Sequence, residues 1–221
     1  MENDFCRLIR ESALELGISL DDRQVFQFAK YHGELLLWNK KINLISERSS
    51  LDIPIKHFID SLTALPFLNN KDSKVLDIGS GGGFPALPLK IAAPGLEMLL
   101  VESSRKKASF LKHCVRSLEL CRVTVTTTRV EKLAKSGNYS NSFDAVISRA
   151  TFKLPDFVSA GAPFLRPGGI LIAMKGANFS DELEKTATIL QPLGLQLLSC
   201  HEIRLPVIGD ERNIVLYRKV V

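Results

Sequence analysis

A chain of 221 residues, 45% of them hydrophobic, can bury a sizeable core, and its length suits one α/β domain with a terminal extension. Its first residues mix Glu2, Asp4, Arg7 and Arg10 instead of a secretory pattern, and no apolar run reaches the roughly 18–20 residues of a membrane span, so a cytoplasmic protein without a membrane partner is expected. The net charge of +5 admits a polyanionic partner without requiring one.

Up to about residue 67 the pattern is helical. Val25, Phe28, Ala29, His32, Leu35 and Leu36 recur at helical spacing behind Asp21 and Asp22, acids suited to a helix start. A second helix is predicted over 53–68, with Pro54 in its first turn. Residues 69–73 form a polar turn, after which short apolar strands alternate with amphipathic helices. The strands are predicted at 74–78, 97–101, 123–127, 143–147 and 169–174, and the helices at 86–92, 104–118, 130–136 and 154–164. This rhythm implies a parallel sheet covered on both faces. Two strand-like runs, 195–205 and 213–219, follow with no helix between them and suggest a closing antiparallel hairpin. The expectation is a mostly parallel seven-stranded α/β sheet, with residues 1–70 a helical extension packed on a ligand-binding domain of 71–221.

Cys6, Cys114, Cys121 and Cys200 are scattered without a C-x-x-C pair. That argues against a zinc knuckle or a disulfide framework, so reduced, buried or half-buried thiols and no metal are expected.

The first predicted strand runs into a glycine-rich turn, Val75-Leu-Asp-Ile-Gly-Ser-Gly-Gly-Gly83. In open parallel sheets ligands sit beyond the carboxyl ends of the strands, where glycine lets backbone approach closely and adopt positive φ. Gly79 and Gly81 would meet the dinucleotide pattern G-x-G-x-x-G, but Phe84 stands where its third glycine belongs, which weakens a hydride-transfer reading. Asp77, just before the loop, is a carboxylate in a buried strand; it can hold loop amides or meet an ammonium group. Glu102 ends the second strand about 20 residues on, where an acid can accept both hydroxyls of a ribose. Leu165-Arg-Pro-Gly-Gly169 resembles a turn found in many class I methyltransferases, and with the first loop it points to S-adenosyl-L-methionine.

A narrower resemblance rests on Trp38-Asn-Lys-Lys-Ile-Asn-Leu-Ile-Ser46, His57-Phe-Ile-Asp-Ser-Leu62, Asp77-Ile-Gly-Ser-Gly-Gly-Gly-Phe-Pro85, Glu102-Ser-Ser-Arg-Lys-Lys107, Ser148-Arg-Ala150 and Met174-Lys-Gly176. In that order, over nearly the whole chain, these are similar to the ribosomal small-subunit methyltransferase G family. The resemblance implies a class I, Rossmann-like fold and methylation of N7 of a guanine in the decoding-region loop of 16S ribosomal RNA, free or in the 30S particle. It further implies a monomer whose cofactor site includes Gly79, Phe84, Val130, Glu131 and Arg149, beside Asp77, Gly81 and Glu102. Gly82 and Ala86 depart from the family's usual residues without threatening the pocket.

The residues fit such chemistry. Guanine N7 carries a free lone pair at neutral pH, so no general base is needed and positioning does most of the work. An amino-methylating Asn/Asp-Pro-Pro-aromatic turn is absent where the chain reads Ser148-Arg-Ala-Thr-Phe152, and no Cys stands beside a Pro as pyrimidine C5 methylation requires. For Arg149 a cofactor contact is the first reading, with a contact to phosphate or to the guanine edge, or a structural ion pair, as the alternatives. The alternatives for the whole chain are an NAD-type oxidoreductase and a non-catalytic RNA-binding protein with a vestigial pocket.

On the helix 104–118, Ala108, Leu111, Val115 and Leu118 share one face, and Arg105, Ser109, Lys112 and Arg116 share the other. With Lys40, Lys41, Arg48, Lys175 and Arg212 they would make a phosphate-binding rim. Trp38, Phe58 and Phe152 are candidate stacking surfaces for a splayed base, with core packing the first reading for Trp38. His57 and Asp60, a turn apart, would pair with each other or with Asn39.

Overall fold

A computed structural model describes residues 4–46, 53–68, 70, 72–150 and 152–220. Two helices open the chain, α1 (Asp4–Glu15) and α2 (Asp22–Asn39). Asp21 caps α2: the Gln24 amide donates to Asp21 Oδ1 at 2.7 Å, and the Asp21 amide donates to Gln24 Oε1 at 2.9 Å. Gln24 also reaches across to donate to the carbonyls of Ile91 and Ala92, each at 3.0 Å, tying this helix start to the sheet domain.

Where one helix is predicted over 53–68, a π-helical turn (Pro54–Ile59) leads into a short α3 (Asp60–Leu62) and a 3-10 turn (Leu65–Phe67). The segment from Ile53 to Leu62 is buried at every position but Lys56. A segment without a solvent face has no polar–apolar alternation from which its pitch can be read. Phe58 sits at its centre, meeting Phe5, Phe28, Tyr31 and Phe84 edge-on at 5.1–6.0 Å between ring centroids.

The sheet has seven strands: β1 (Lys74–Ile78), β2 (Glu97–Glu102), β3 (Val123–Thr127), β4 (Phe143–Arg149), β5 (Leu165–Lys175), β6 (Leu195–Arg204) and β7 (Glu211–Lys219). Their order is β3-β2-β1-β4-β5-β7-β6, parallel through β5, with β7 antiparallel to both β5 and β6. The mixed sheet with its closing hairpin agrees with the sequence reading. Helices α4 (Ala86–Ala92), α5 (Arg105–Ser117), α6 (Val130–Lys135) and α7 (Leu154–Gly161) follow β1 to β4. An eighth, α8 (Ser180–Ala187), lies where the sequence predicts no element; most of its residues are polar, and only Thr186 is fully buried.

Alternation along the strands feeds two cores. Val75, Leu100 and Ile147 face α1, α2, α4 and α5, while Leu76, Ile78, Val101 and Val146 face α6 and α7. The glycine-containing turn predicted at 165–169 proves to be a bulge inside β5. Leu165 pairs with Phe143 and Ile170 with Ala145, so residues 166–169 oppose Asp144 alone, with Gly168 at φ +78°. Two of the cysteines also differ from expectation: Cys114 is buried and Cys6 half-buried, but Cys121 and Cys200 are exposed, on a loop and on the outermost strand.

Candidate active site

Beyond the carboxyl end of β1 the chain turns sharply, with Gly79, Gly81 and Gly83 at φ +77°, +53° and +90°. The amides of Gly79 and Ser80 donate to the carbonyl of Val101, at 2.9 and 3.2 Å, so β2 holds the first half of the loop. Glu102 holds the next part: its Oε2 accepts from the Gly81 amide at 2.9 Å and its Oε1 from the Ser104 amide at 2.7 Å. Glu102 is thereby clamped at 7% exposure, with lone pairs left for two more donors.

The far side of the loop rests on a residue that sequence reasoning missed. Tyr31 of α2 is fully buried, donates its hydroxyl proton to the carbonyl of Gly82 and stacks on Phe84 at 5.4 Å. A β-carbon on Gly83 would lie 2.6 Å from both the Leu87 side chain and the Tyr31 hydroxyl. The signal was present, since Tyr31 continues the stripe of Phe28 and Leu35, but periodicity alone makes it one more core residue.

These contacts form one wall of a cavity of about 1030 Å³. Gly79, Gly81, Phe84, Glu102, Val130, Glu131 and Arg149 all line it, although they come from the ends of four different strands. The extension closes it with residues 43–46 and His57. Asn39 shapes that segment by accepting from the amides of Leu44 and Ile45 at 2.8 and 3.1 Å.

Asp77 is placed differently from the other predicted site residues. It is completely buried beneath the loop, outside the cavity lining, and among the described residues neither carboxylate oxygen has a hydrogen-bond partner. Burial pushes its carboxyl up to about 7, against the opposing effects of Ser80 and Arg149. Among the described residues no loop amide donates to its carboxylate.

Arg149 lies on the cavity wall within an ion network. Its guanidinium donates to the Lys56 carbonyl at 2.9 Å, to Asp60 Oδ2 at 3.0 Å and to His57 Nδ1 at 2.7 Å, and it lies 5.0 Å from the centroid of the Phe84 ring. Arg212 Nε approaches Asp60 Oδ1 at 3.2 Å from the other side. The pairing of His57 and Asp60 with each other or with Asn39 is thus corrected: both turn to Arg149, because a guanidinium offers five donors and satisfies two acceptors at once. Since arginine only donates, a neutral His57 carries its proton on Nε2.

The predicted rim and stacking surfaces separate in the same way. Lys175 is held by Glu182 at 2.8 Å and by the Phe152 carbonyl at 3.1 Å, and Arg212 is held by Asp60, so neither is an unpaired cation. Arg48 lies outside the described residues. Arg105, Lys112, Arg116, Lys40 and Lys41 are exposed. Phe58 is core, Trp38 packs on Phe110 and His113 at 5.6 and 5.4 Å, and Phe152 lines the cavity. Among the described residues no cluster of three metal-ligating side chains occurs.

A family model described as rRNA small subunit methyltransferase G matches residues 24–215. The chain is 45% identical over 216 residues to the ribosomal RNA small subunit methyltransferase G of Syntrophus aciditrophicus, covering 97% of this chain and 90% of the relative. It is 42% identical to the protein of that name from Geotalea uraniireducens, covering 97% and 96%. Among solved structures, an O-methyltransferase from Bacillus cereus in complex with SAH superposes with a TM-score of 0.61 at 17% identity, over 86% of this chain and 91% of that one. TYW2 of M. jannaschii in complex with AdoMet gives 0.56 at 15% identity, over 72% and 74%. At such identities the structural likeness shows the fold, that of class I methyltransferases.

Proposed function

The chain belongs to the rRNA small subunit methyltransferase G family, and from that premise we propose that it methylates N7 of a guanine in the decoding-region loop of 16S ribosomal RNA. The observation that carries the reading is the cavity at the carboxyl edge of the sheet, where the glycine loop is anchored on Glu102. We further propose that it acts in the cytoplasm as a monomer on the 30S particle or its RNA. Among the described residues no helix is long and apolar enough to cross a membrane.

The donor set suits S-adenosyl-L-methionine, which would supply an electrophilic methyl group when bound. Glu102, fixed by two backbone amides, presents its remaining lone pairs to the hydroxyls of a ribose. Val130 offers apolar surface and Glu131 a carboxylate to an adenine, at the N-terminus of α6. Gly79 and Gly81 keep the loop free of side chains, and Phe84 backs it. Asp77, whose carboxylate has no hydrogen-bond partner among the described residues, is suited to an ammonium group, and Arg149 to a carboxylate. Residues 1–70 act as an extension that walls the site, and residues 71–221 as the domain that carries it. Guanine N7 has no proton to lose, so the chain's task is to orient the base and exclude water.

Transfer of labelled methyl from S-adenosyl-L-methionine to 30S particles and to free 16S RNA tests this, with the product mapped by borohydride and aniline cleavage. Label at one guanine N7 is expected; label elsewhere, or none on either substrate, overturns it. Binding of NADH but not S-adenosylhomocysteine in calorimetry would favour the oxidoreductase.

A further inference from the structure

The cations placed around the cavity mouth by sequence fall into two sets. On the side of β4, β5 and β7 each meets a carboxylate: Arg149 and Arg212 share Asp60, Arg212 also approaches Asp210 at 3.6 Å, and Lys175 is paired with Glu182. On the side of α5 and the end of α2, none of Arg105, Lys106, Lys107, Lys112, Arg116, Lys40 and Lys41 is within ion-pairing distance of a carboxylate among the described residues.

Helical geometry orders them. Arg105, Ser109, Lys112 and Arg116 follow at steps of four, three and four residues, which puts them on one stripe roughly 16 Å long. Across the helix from that stripe lie the buried Phe110, Leu111 and Cys114. Its near end meets the cavity, whose wall includes Ser103 and Lys107. Trp38, packed on Phe110 and His113, fixes the end of α2 against α5, and the exposed Lys40 and Lys41 follow it directly in the chain. A nearby carboxylate, Glu34, is turned to His113 at 2.8 Å and to the Ser117 hydroxyl at 3.5 Å.

We infer that this face, and not the opposite rim, is the track along which the sugar-phosphate backbone of the RNA reaches the cavity, an inference that rests on the methyl-transfer reading above. Unpaired cations in a row release counterions when phosphates replace them, and already paired ones do not.

The test compares wild type with Arg105→Gln/Lys112→Gln/Arg116→Gln, with Lys40→Gln/Lys41→Gln, and with a control, Lys185→Gln/Arg218→Gln, whose exposed cations lie elsewhere. Affinity for free 16S RNA and for 30S particles is read across a salt series, with S-adenosylhomocysteine affinity reporting an intact fold. The triple variant is expected to lower the slope of log affinity against log salt by roughly 2–3 and the double variant by roughly 1–2, with the control unchanged. Wild-type slopes in both α5 and α2 variants would overturn the track while leaving methyl transfer standing. Loss of affinity for 30S particles alone, with free RNA unaffected, would mean that the face meets ribosomal protein, and would also overturn it. If the wild type neither binds nor methylates the RNA, the functional reading and the track fall together.

Discussion

Arg149, at the end of β4, and Asp60, in the extension, form an ion pair of 3.0 Å with side chains only 14% and 6% exposed. Eighty-nine residues apart in sequence, they join the helical extension to the sheet at the wall of the cavity. Arg212 completes the set from β7. Removing one member of a buried pair strands the others, so Asp60→Asn is expected to destabilise the fold by about 3–5 kcal/mol. A chemical denaturation midpoint close to wild type would show that solvent screens the two guanidiniums.

Glu102 accepts from two backbone amides at once, and a carboxamide can accept with only one of its two ends. Glu102→Gln therefore sets an NH₂ group against the amide of Gly81 or Ser104. Hydrogen bonds to a charged group are worth about 1.5–3 kcal/mol, which corresponds to a roughly 10- to 100-fold loss of S-adenosylhomocysteine affinity. Calorimetric titration measures it, and an unchanged dissociation constant would remove Glu102 from the cofactor site.

The Tyr31 hydroxyl is the buried partner of the Gly82 carbonyl. Tyr31→Phe leaves that carbonyl without its donor, at a cost of about 1–3 kcal/mol in stability, and loosens the loop. Gly83→Ala acts more strongly, because it adds a β-carbon at φ +90° where Leu87 and Tyr31 already stand. Both variants are expected to weaken S-adenosylhomocysteine binding in the order Gly83→Ala, then Tyr31→Phe. The reverse order in calorimetry would show that Tyr31 and not the loop backbone limits binding.

Asp77 gives a dependence on pH. Burial raises its carboxyl from 3.8 to about 7, so between those values the folded chain keeps a proton that the unfolded chain has released. This contribution makes stability fall as pH rises through that window, and the penalty is complete above about pH 7. Asp77→Asn removes it. The variant is expected to gain thermal stability relative to wild type at pH 8 but not at pH 4, while binding S-adenosylhomocysteine less well. Equal differences in Tm at the two pH values would show that Asp77 does not titrate in this window.

Much of the frame was legible because it rests on short-range signals. The strands of the sheet core are apolar runs, and the glycine loop and Glu102 announce themselves by residue type and spacing. The extension between Pro54 and Leu62 was less legible because nearly all of it is buried, which erases the alternation that distinguishes one helical pitch from another. Helix α8 escaped notice for the opposite reason. It is short and six of its eight residues are polar, and it is docked by Glu182, which accepts from the Leu154 amide at 2.7 Å and pairs with Lys175.

By itself the sequence determined the order of elements, the turn at Gly79 to Gly83 and the family resemblance, since each depends on residues near one another in the chain. Only the tertiary structure decided which charges are unpaired. Lys175, Arg212 and Lys112 look alike in sequence, but the first two meet carboxylates of the fold while Lys112 faces solvent on α5. Coulomb attraction depends on distance in space, and the Arg149–Asp60–Arg212 set exists only once the sheet brings three distant segments together.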